Sequence, residues 1–179
     1  YIDSSLGMGY GTIVSPVLII AGYEPLAVVP SILISQALTD ASASAFHHRY
    51  KNINLHFKGD DSKIALFIVC VGVLFAIIGV LTAVNLPKTY LKTYIGILVI
   101  VIGTITLSKA RFNFSWKKLL AISALGAFNK AISGGGFGPV ITSGQIISGR
   151  PAKNSIVATL VAKALICICS LLAYIILVG

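Results

Sequence analysis

The stretch Ile132-Ser133-Gly134-Gly135-Gly136-Phe137-Gly138-Pro139-Val140 breaks an apolar segment that extends from Leu119 to Ser148. In a helix interior each glycine costs about 1 kcal/mol and a proline about 3 kcal/mol. Three glycines followed by Gly-Pro therefore predict unwound backbone. Inside a bilayer such backbone survives only where protein buries it or where it lines a wet cavity. The pattern occurs twice. Ser5-Leu6-Gly7-Met8-Gly9-Tyr10-Gly11-Thr12-Ile13-Val14 aligns with it at an offset of 127 residues, and Gly7, Gly9, Gly11 and Gly22 fall on Gly134, Gly136, Gly138 and Gly149. Tyr10 falls on Phe137, and after a small gap Val29-Pro30-Ser31-Ile32-Leu33 meets Val157-Ala158-Thr159-Leu160-Val161. Gly7/Gly11 and Gly134/Gly138 also fit the small-residue spacing of close helix packing. Four aligned glycines at one offset favour an internal duplication.

Composition supplies the setting. Of 179 residues 56% are hydrophobic and 11% charged, with a mean hydropathy of +0.94, whereas a soluble domain carries about 25% charged residues. These values exclude disorder, a nucleic-acid-binding surface domain and an ordinary cytosolic enzyme; the apolar excess faces lipid. Six apolar stretches are visible. The first runs from the start to about Gly22 and the fifth from Leu119 to Ser148, each with a Gly-rich break. The other four, Leu26–Phe46, Ile64–Val84, Tyr90–Leu107 and Ile156–Val178, are 18 to 23 residues long, the length a helix needs to cross a ~30 Å core. The predicted fold is all-α: a polytopic transmembrane helical bundle with two internal repeats, each with a Gly-broken helix. It forms a single transmembrane domain over 1–179, with repeat one over 1–108 and the start of repeat two over 109–179. Tyr1 begins in mid-pattern and Leu171–Gly179 is still apolar, so the chain reads as a piece of a longer membrane protein.

The net charge of +9 comes from 14 Lys/Arg against five acids, and the basic residues cluster between apolar runs. Connection 47–63 carries Arg49, Lys51, Lys58 and Lys63, and connection 108–118 carries Lys109, Arg111, Lys117 and Lys118. Counted as single crossings, the segments leave Lys88, Lys92, Arg150 and Lys153 on the other side. Eight against four places loops 47–63 and 108–118 in the cytoplasm of a multi-pass cell-membrane protein. The same counting makes the repeats parallel. If each Gly break is a re-entrant turn instead, that arithmetic changes.

The chemistry of the breaks suits an anion. Freed N–H groups at the start of a half-helix, with the positive end of its dipole, bind negative charge. Thr12–Ala21 and Val140–Ser148 are the candidate half-helices. Gly7, Gly9 and Gly11 of the first break and Gly134, Gly135 and Gly136 of the second are the candidate binding backbone. The aligned hydroxyls Ser31 and Thr159 join them. Charges at membrane depth mark function by default: Lys130 lies one helical turn before Gly134, and Lys163 is too deep to snorkel easily. Asp3 and Asp40 are the candidate carriers of a coupling ion or proton. No metal ligand set or cofactor motif is recognised. Cys167 and Cys169 point to different sides of a helix, and His47-His48 adjoin a basic loop. Dinucleotide, P-loop and nucleophile-elbow readings lack their βαβ context, their Gly-Lys-Ser/Thr and their His, so an enzyme is not expected.

On these residues the sequence resembles the TauE/SafE sulfite exporter family of membrane permeases. Ile2-Asp3-Ser4-Ser5-Leu6-Gly7-Met8-Gly9-Tyr10-Gly11 and Asn129-Lys130-Ala131-Ile132-Ser133-Gly134-Gly135-Gly136-Phe137-Gly138-Pro139-Val140 carry the likeness. So does His47-His48-Arg49-Tyr50-Lys51-Asn52-Ile53-Asn54, with Lys51 where the family usually has Gly. The resemblance implies transport of small sulfur-containing or carboxylate anions, and further spans beyond Gly179. The expected function is a secondary transporter or permease for a small anion, a sulfur oxyanion or an organic sulfonate or carboxylate, bound at the Gly-rich breaks. Its partners are that anion and the lipid bilayer, with no nucleic acid. A non-transporting membrane scaffold or assembly protein, or a passive anion channel, is the alternative.

Overall fold

The computed structural model describes residues 10–49, 60–107, 116–147 and 152–178. Secondary structure among these residues is entirely helical: α1 Tyr10–Ile20, α2 Pro25–Arg49, α3 Asp60–Asn85, α4 Lys88–Leu107, α5 Trp116–Ser133, α6 Phe137–Ile147 and α7 Ala152–Val178. Three helices hold apolar stretches long enough to cross a membrane: Pro25–Phe46, Lys63–Asn85 and Asn154–Val178. These match three of the apolar segments read from the sequence to within two residues.

The packing follows from where the small residues lie. Helix α3 is the central rod, flanked by α5 and α7. A Cβ added at Gly79 would stand 2.8 Å from the Phe128 carbonyl oxygen, and one at Gly72 would stand 2.3 Å from the Ile166 side chain. Helices this close gain van der Waals contact that lipid tails cannot match. Leu33, Ile68, Val80, Leu160 and Ile166 are fully buried between the helices, whereas Ile13, Leu38, Leu66, Ile100 and Ile176 point outward with 64–79% of their surface exposed. An outer surface this apolar is what lipid solvates.

Contacts along the helices fix their directions. Gly72 touches Ile166 and Ala127, Gly79 touches Phe128 and Ala131, and the Tyr174 hydroxyl donates to the Ala131 carbonyl at 2.7 Å. Helices α5 and α7 therefore run in the same sense as α3. Lys88 and Glu24 form an ion pair at 2.5 Å, so α3 arrives at the end of the bundle from which α2 leaves. Helix α7 is thus antiparallel to α2. Helices α5 and α6 form a hairpin: Gly126 faces Phe137 and Ile141, and Gly144 faces Ile122.

This hairpin corrects the arithmetic of single crossings. Helix α6 turns back instead of continuing, so Ile147 and Ala152 lie toward the end where α2 finishes and α5 begins. Those two helix ends therefore lie away from Lys88, which pairs with Glu24 at the opposite end. The physical reason is tertiary: residues 134–136 permit the chain to reverse, and an apolar α6 finds its burial against α5 and α7.

Candidate functional site

The reversal is built from a few bonds. Gly134 N–H donates to the Lys130 carbonyl at 2.7 Å, which closes the last turn of α5. Gly134 then adopts φ +74° and Gly136 φ +85°, the left-handed region that terminates helices and that L side chains avoid. The Ser133 hydroxyl donates to the Asn129 carbonyl at 2.8 Å and accepts from Gly135 N–H at 3.2 Å. The Tyr94 hydroxyl donates to Asn129 Oδ1, which pins the same turn to α4.

The start of α1 meets this tip backbone to backbone. A Cβ on Gly11 would fall 2.0 Å from the Gly134 carbonyl oxygen and 2.5 Å from Gln36 Nε2, and a Cβ on Gly135 would fall 2.5 Å from Thr12 N. Gly136 N–H donates to Thr12 Oγ1 at 3.0 Å. Glycine is required at 11 and 135 because neither neighbour is a side chain that can move aside; both are largely main chain.

Around this junction lies a small cavity lined by Gly11, Thr12, Gln36, Lys130, Gly135, Gly136, Phe137, Gly138 and Lys163. Its free volume of about 10 Å³ is close to what one water needs. Two helix N-termini open onto it, that of α1 through Gly11 and Thr12 and that of α6 through Phe137 and Gly138. Each brings main-chain N–H groups without intrahelical partners and the positive end of a helix dipole. Two buried lysine side chains face the same point. Lys130, 1% exposed, donates to Gln36 Oε1. Lys163 pairs with Asp40 Oδ1 at 3.0 Å, with side chains 3% and 0% exposed. Gln36 and Asp40 stand one helical turn apart on α2 and share a face.

Of the residues singled out from the sequence, the fold gathers Gly11, Lys130, Gly134, Gly135, Gly136, Lys163 and Asp40 around this point. Asp3, Gly7 and Gly9 lie outside the described residues. Ser31 does not join them: it is exposed, and its hydroxyl donates to its own helix at the Ala27 carbonyl, 2.8 Å away. A helix face is set by 100° steps from its packing partner, and Ser31 falls on the outward side while Ile32 packs on Gly134. Thr159 is buried but does not line the cavity. Its hydroxyl accepts from Gln145 Nε2 at 3.0 Å and donates to the Ser155 carbonyl at 2.8 Å, tying α6 to α7. Sequence reading missed Gln36 and Thr12. The signal for Gln36 was its place one turn before Asp40 on an apolar helix, and Thr12 directly follows an aligned glycine.

The chain is similar in sequence to known membrane proteins. The sulfite exporter TauE/SafE family matches over residues 1–179. A probable membrane transporter protein of Bacillus subtilis, YtnM, is 26% identical over 152 residues, covering 79% of this chain and 48% of the relative. The chain thus spans about half the length of the curated relative it matches. No solved structure matches the chain. With helices able to cross a membrane and a family match along its full length, this chain belongs to the sulfite exporter TauE/SafE family of membrane transporters.

Proposed function

We propose that the chain forms the substrate-binding part of a cell-membrane permease that moves a small anion, a sulfur oxyanion or an organic sulfonate or carboxylate, between the N-termini of α1 and α6. One observation carries this reading: two fully buried lysines, Lys130 and Lys163, share one cavity with both helix starts. Buried ammonium groups, helix dipoles and free main-chain N–H groups all favour negative charge. The cavity holds about one water, so an anion enters as the tips at Gly11 and Gly135 separate. Asp40 is the coupling group within the described residues, and the alignment adds Asp3, Gly7 and Gly9 to the site. No nucleotide-binding motif is present in the sequence, so an ion or substrate gradient supplies the energy.

The antiparallel course of α2 and α7 supports an inverted duplication, with repeat one over 1–108 and repeat two from 109. It also sharpens the sidedness. Moving Arg150 and Lys153 to the side of loops 47–63 and 108–118 changes eight basic residues against four into ten against two. That side is cytoplasmic by the positive-inside rule. In intact cells an impermeant thiol reagent should label Lys88→Cys from outside and leave Lys117→Cys and Lys153→Cys unlabelled. Labelling of position 153 together with 88 would restore the crossing that the hairpin excludes.

Transport is tested in liposomes containing the full-length protein. Saturable uptake of sulfite, methanesulfonate or acetate that falls at least tenfold in Lys130→Gln supports the permease. Folded protein without uptake favours a membrane scaffold, and conductance far above carrier rates favours a channel.

A further inference from the structure

We propose that Ser15 and Thr142 line the anion's route on the two sides of the cavity. When the tips part, the route opens outward past Ser15 on α1 and toward the cytoplasm past Thr142 on α6, each hydroxyl donating to an oxygen of the passing anion. The inference rests on the anion-site reading above and adds the path to and from that site. Among the described residues three buried hydroxyls have no hydrogen-bond partner: Ser15, Ser123 and Thr142. Other helical hydroxyls of this chain, Thr159 and Ser170 among the buried ones, donate to the carbonyl four residues back at 2.8 and 2.7 Å. A buried hydroxyl that forgoes even this local bond has lost water without replacing it, and such a group calls for an explanation.

Position supplies the explanation. Ser15 and Thr142 are 1% and 0% exposed. Each lies one helical turn past a glycine that lines the cavity, Gly11 on α1 and Gly138 on α6, and shares that glycine's face. On α1 this face, Gly11, Ser15 and Ile19, is the buried one. A turn of helix puts each hydroxyl about 6 Å along its axis from that glycine. The two residues also correspond at the offset of 127 that aligns the glycines. Their helices leave the cavity in opposite senses: α1 runs toward the rim of Glu24 and Lys88, and α6 runs back toward the other end. Equivalent hydroxyls therefore stand on opposite sides of one cavity. Ser123 neighbours Ile122, which meets Gly144, so it lies in the same half as Thr142. A hydroxyl suits a place of passage, because it rotates to donate to whichever oxygen comes near and has no charge to trap an anion.

Sulfonatoethyl methanethiosulfonate tests the route, because it is membrane-impermeant, thiol-reactive and itself a small sulfonate. Ser15→Cys and Thr142→Cys are made in the full-length protein. Mass spectrometry of the peptide carrying each position reads it separately from Cys70, Cys167 and Cys169. On intact cells the reagent should modify Ser15→Cys about tenfold faster than Thr142→Cys, and on inside-out vesicles the order should invert. The cationic trimethylammonium analogue should react about tenfold more slowly at both positions, once each rate is divided by that for a free thiol. Sided modification without this charge preference keeps the route and removes the anion reading. No modification of either position from either side, or modification of both from the same side, overturns the route, while saturable uptake in liposomes would keep the anion site. Where a cysteine variant does not fold, Ser15→Ala and Thr142→Val decide, since they remove a hydroxyl that has no partner to lose. Uptake should fall severalfold with the unfolding midpoint unchanged or raised, and unchanged uptake in both overturns the inference.

Discussion

Lys163 and Asp40 meet at 3.0 Å in the middle of the bundle with side chains 3% and 0% exposed, whereas Lys88 and Glu24 meet at its rim with side chains 60% and 61% exposed. The chemistry is the same and the physics is opposite. At the rim, water and salt screen the attraction, and such pairs contribute little. In the interior each charge has lost its hydration, so the pair survives only because both members are present. The outer pair therefore reports which helix ends are neighbours. The inner pair marks a place where the fold carries charge at a cost, beside two helix N-termini and a second lysine. That combination is what supports the proposed anion site, and the rim pair has none of it.

The largest expected effect comes from breaking the inner pair one member at a time. Asp40→Asn or Lys163→Gln alone should cost roughly 3–5 kcal/mol of stability, because the other charge stays buried. The double variant should recover much of that loss. Thermal unfolding in detergent measures all three; equal costs for the single and double variants would show that the two charges are not coupled.

The next contrast sets the same two regions against each other through their glycines. Gly135→Ala forces a Cβ to within 2.5 Å of the Thr12 nitrogen and should cost about 3 kcal/mol, the upper end for overpacking. Gly22 also has a positive φ, +100°, but nothing lies within 4 Å of its would-be Cβ. Gly22→Ala should therefore cost only the backbone strain, about 1 kcal/mol. A larger loss at Gly22 than at Gly135 would mean that the two tips do not press together in the folded protein.

The smallest effect belongs to the rim pair. The Lys88 ammonium beside Glu24 holds its carboxyl below the usual glutamate range. A depressed carboxyl pKa adds stability that is present above the ordinary glutamate pKa and lost as pH falls through the folded value. Because the group is exposed, Glu24→Gln should barely move the unfolding midpoint at neutral pH, and high salt should erase the difference. A salt-resistant loss would make this rim pair a partner to the inner one.

Much of this was legible in the residues themselves. Apolar runs of 18 to 23 residues require helices, since lipid offers backbone groups no other partner. Gly134-Gly135-Gly136 cannot continue a helix, and Lys130, Lys163 and Asp40 stand out as charges where charges are expensive. Three decisions were not local. A glycine run permits the chain to continue or to reverse, and only the packing of α6 against α5 and α7 chose reversal, which turned the following helix antiparallel to α2. The partner of Lys130 is Gln36, 94 residues away, a pairing that no periodicity within either helix contains. Ser31 and Thr159 matched in alignment yet parted in space, because the rotation of a helix about its axis is set by what it packs against. The sequence by itself determined that the chain lies in a membrane, where its helix must break and which charges sit deep. Tertiary structure alone decided which way the break turns and which groups meet there, because those depend on contacts between helices.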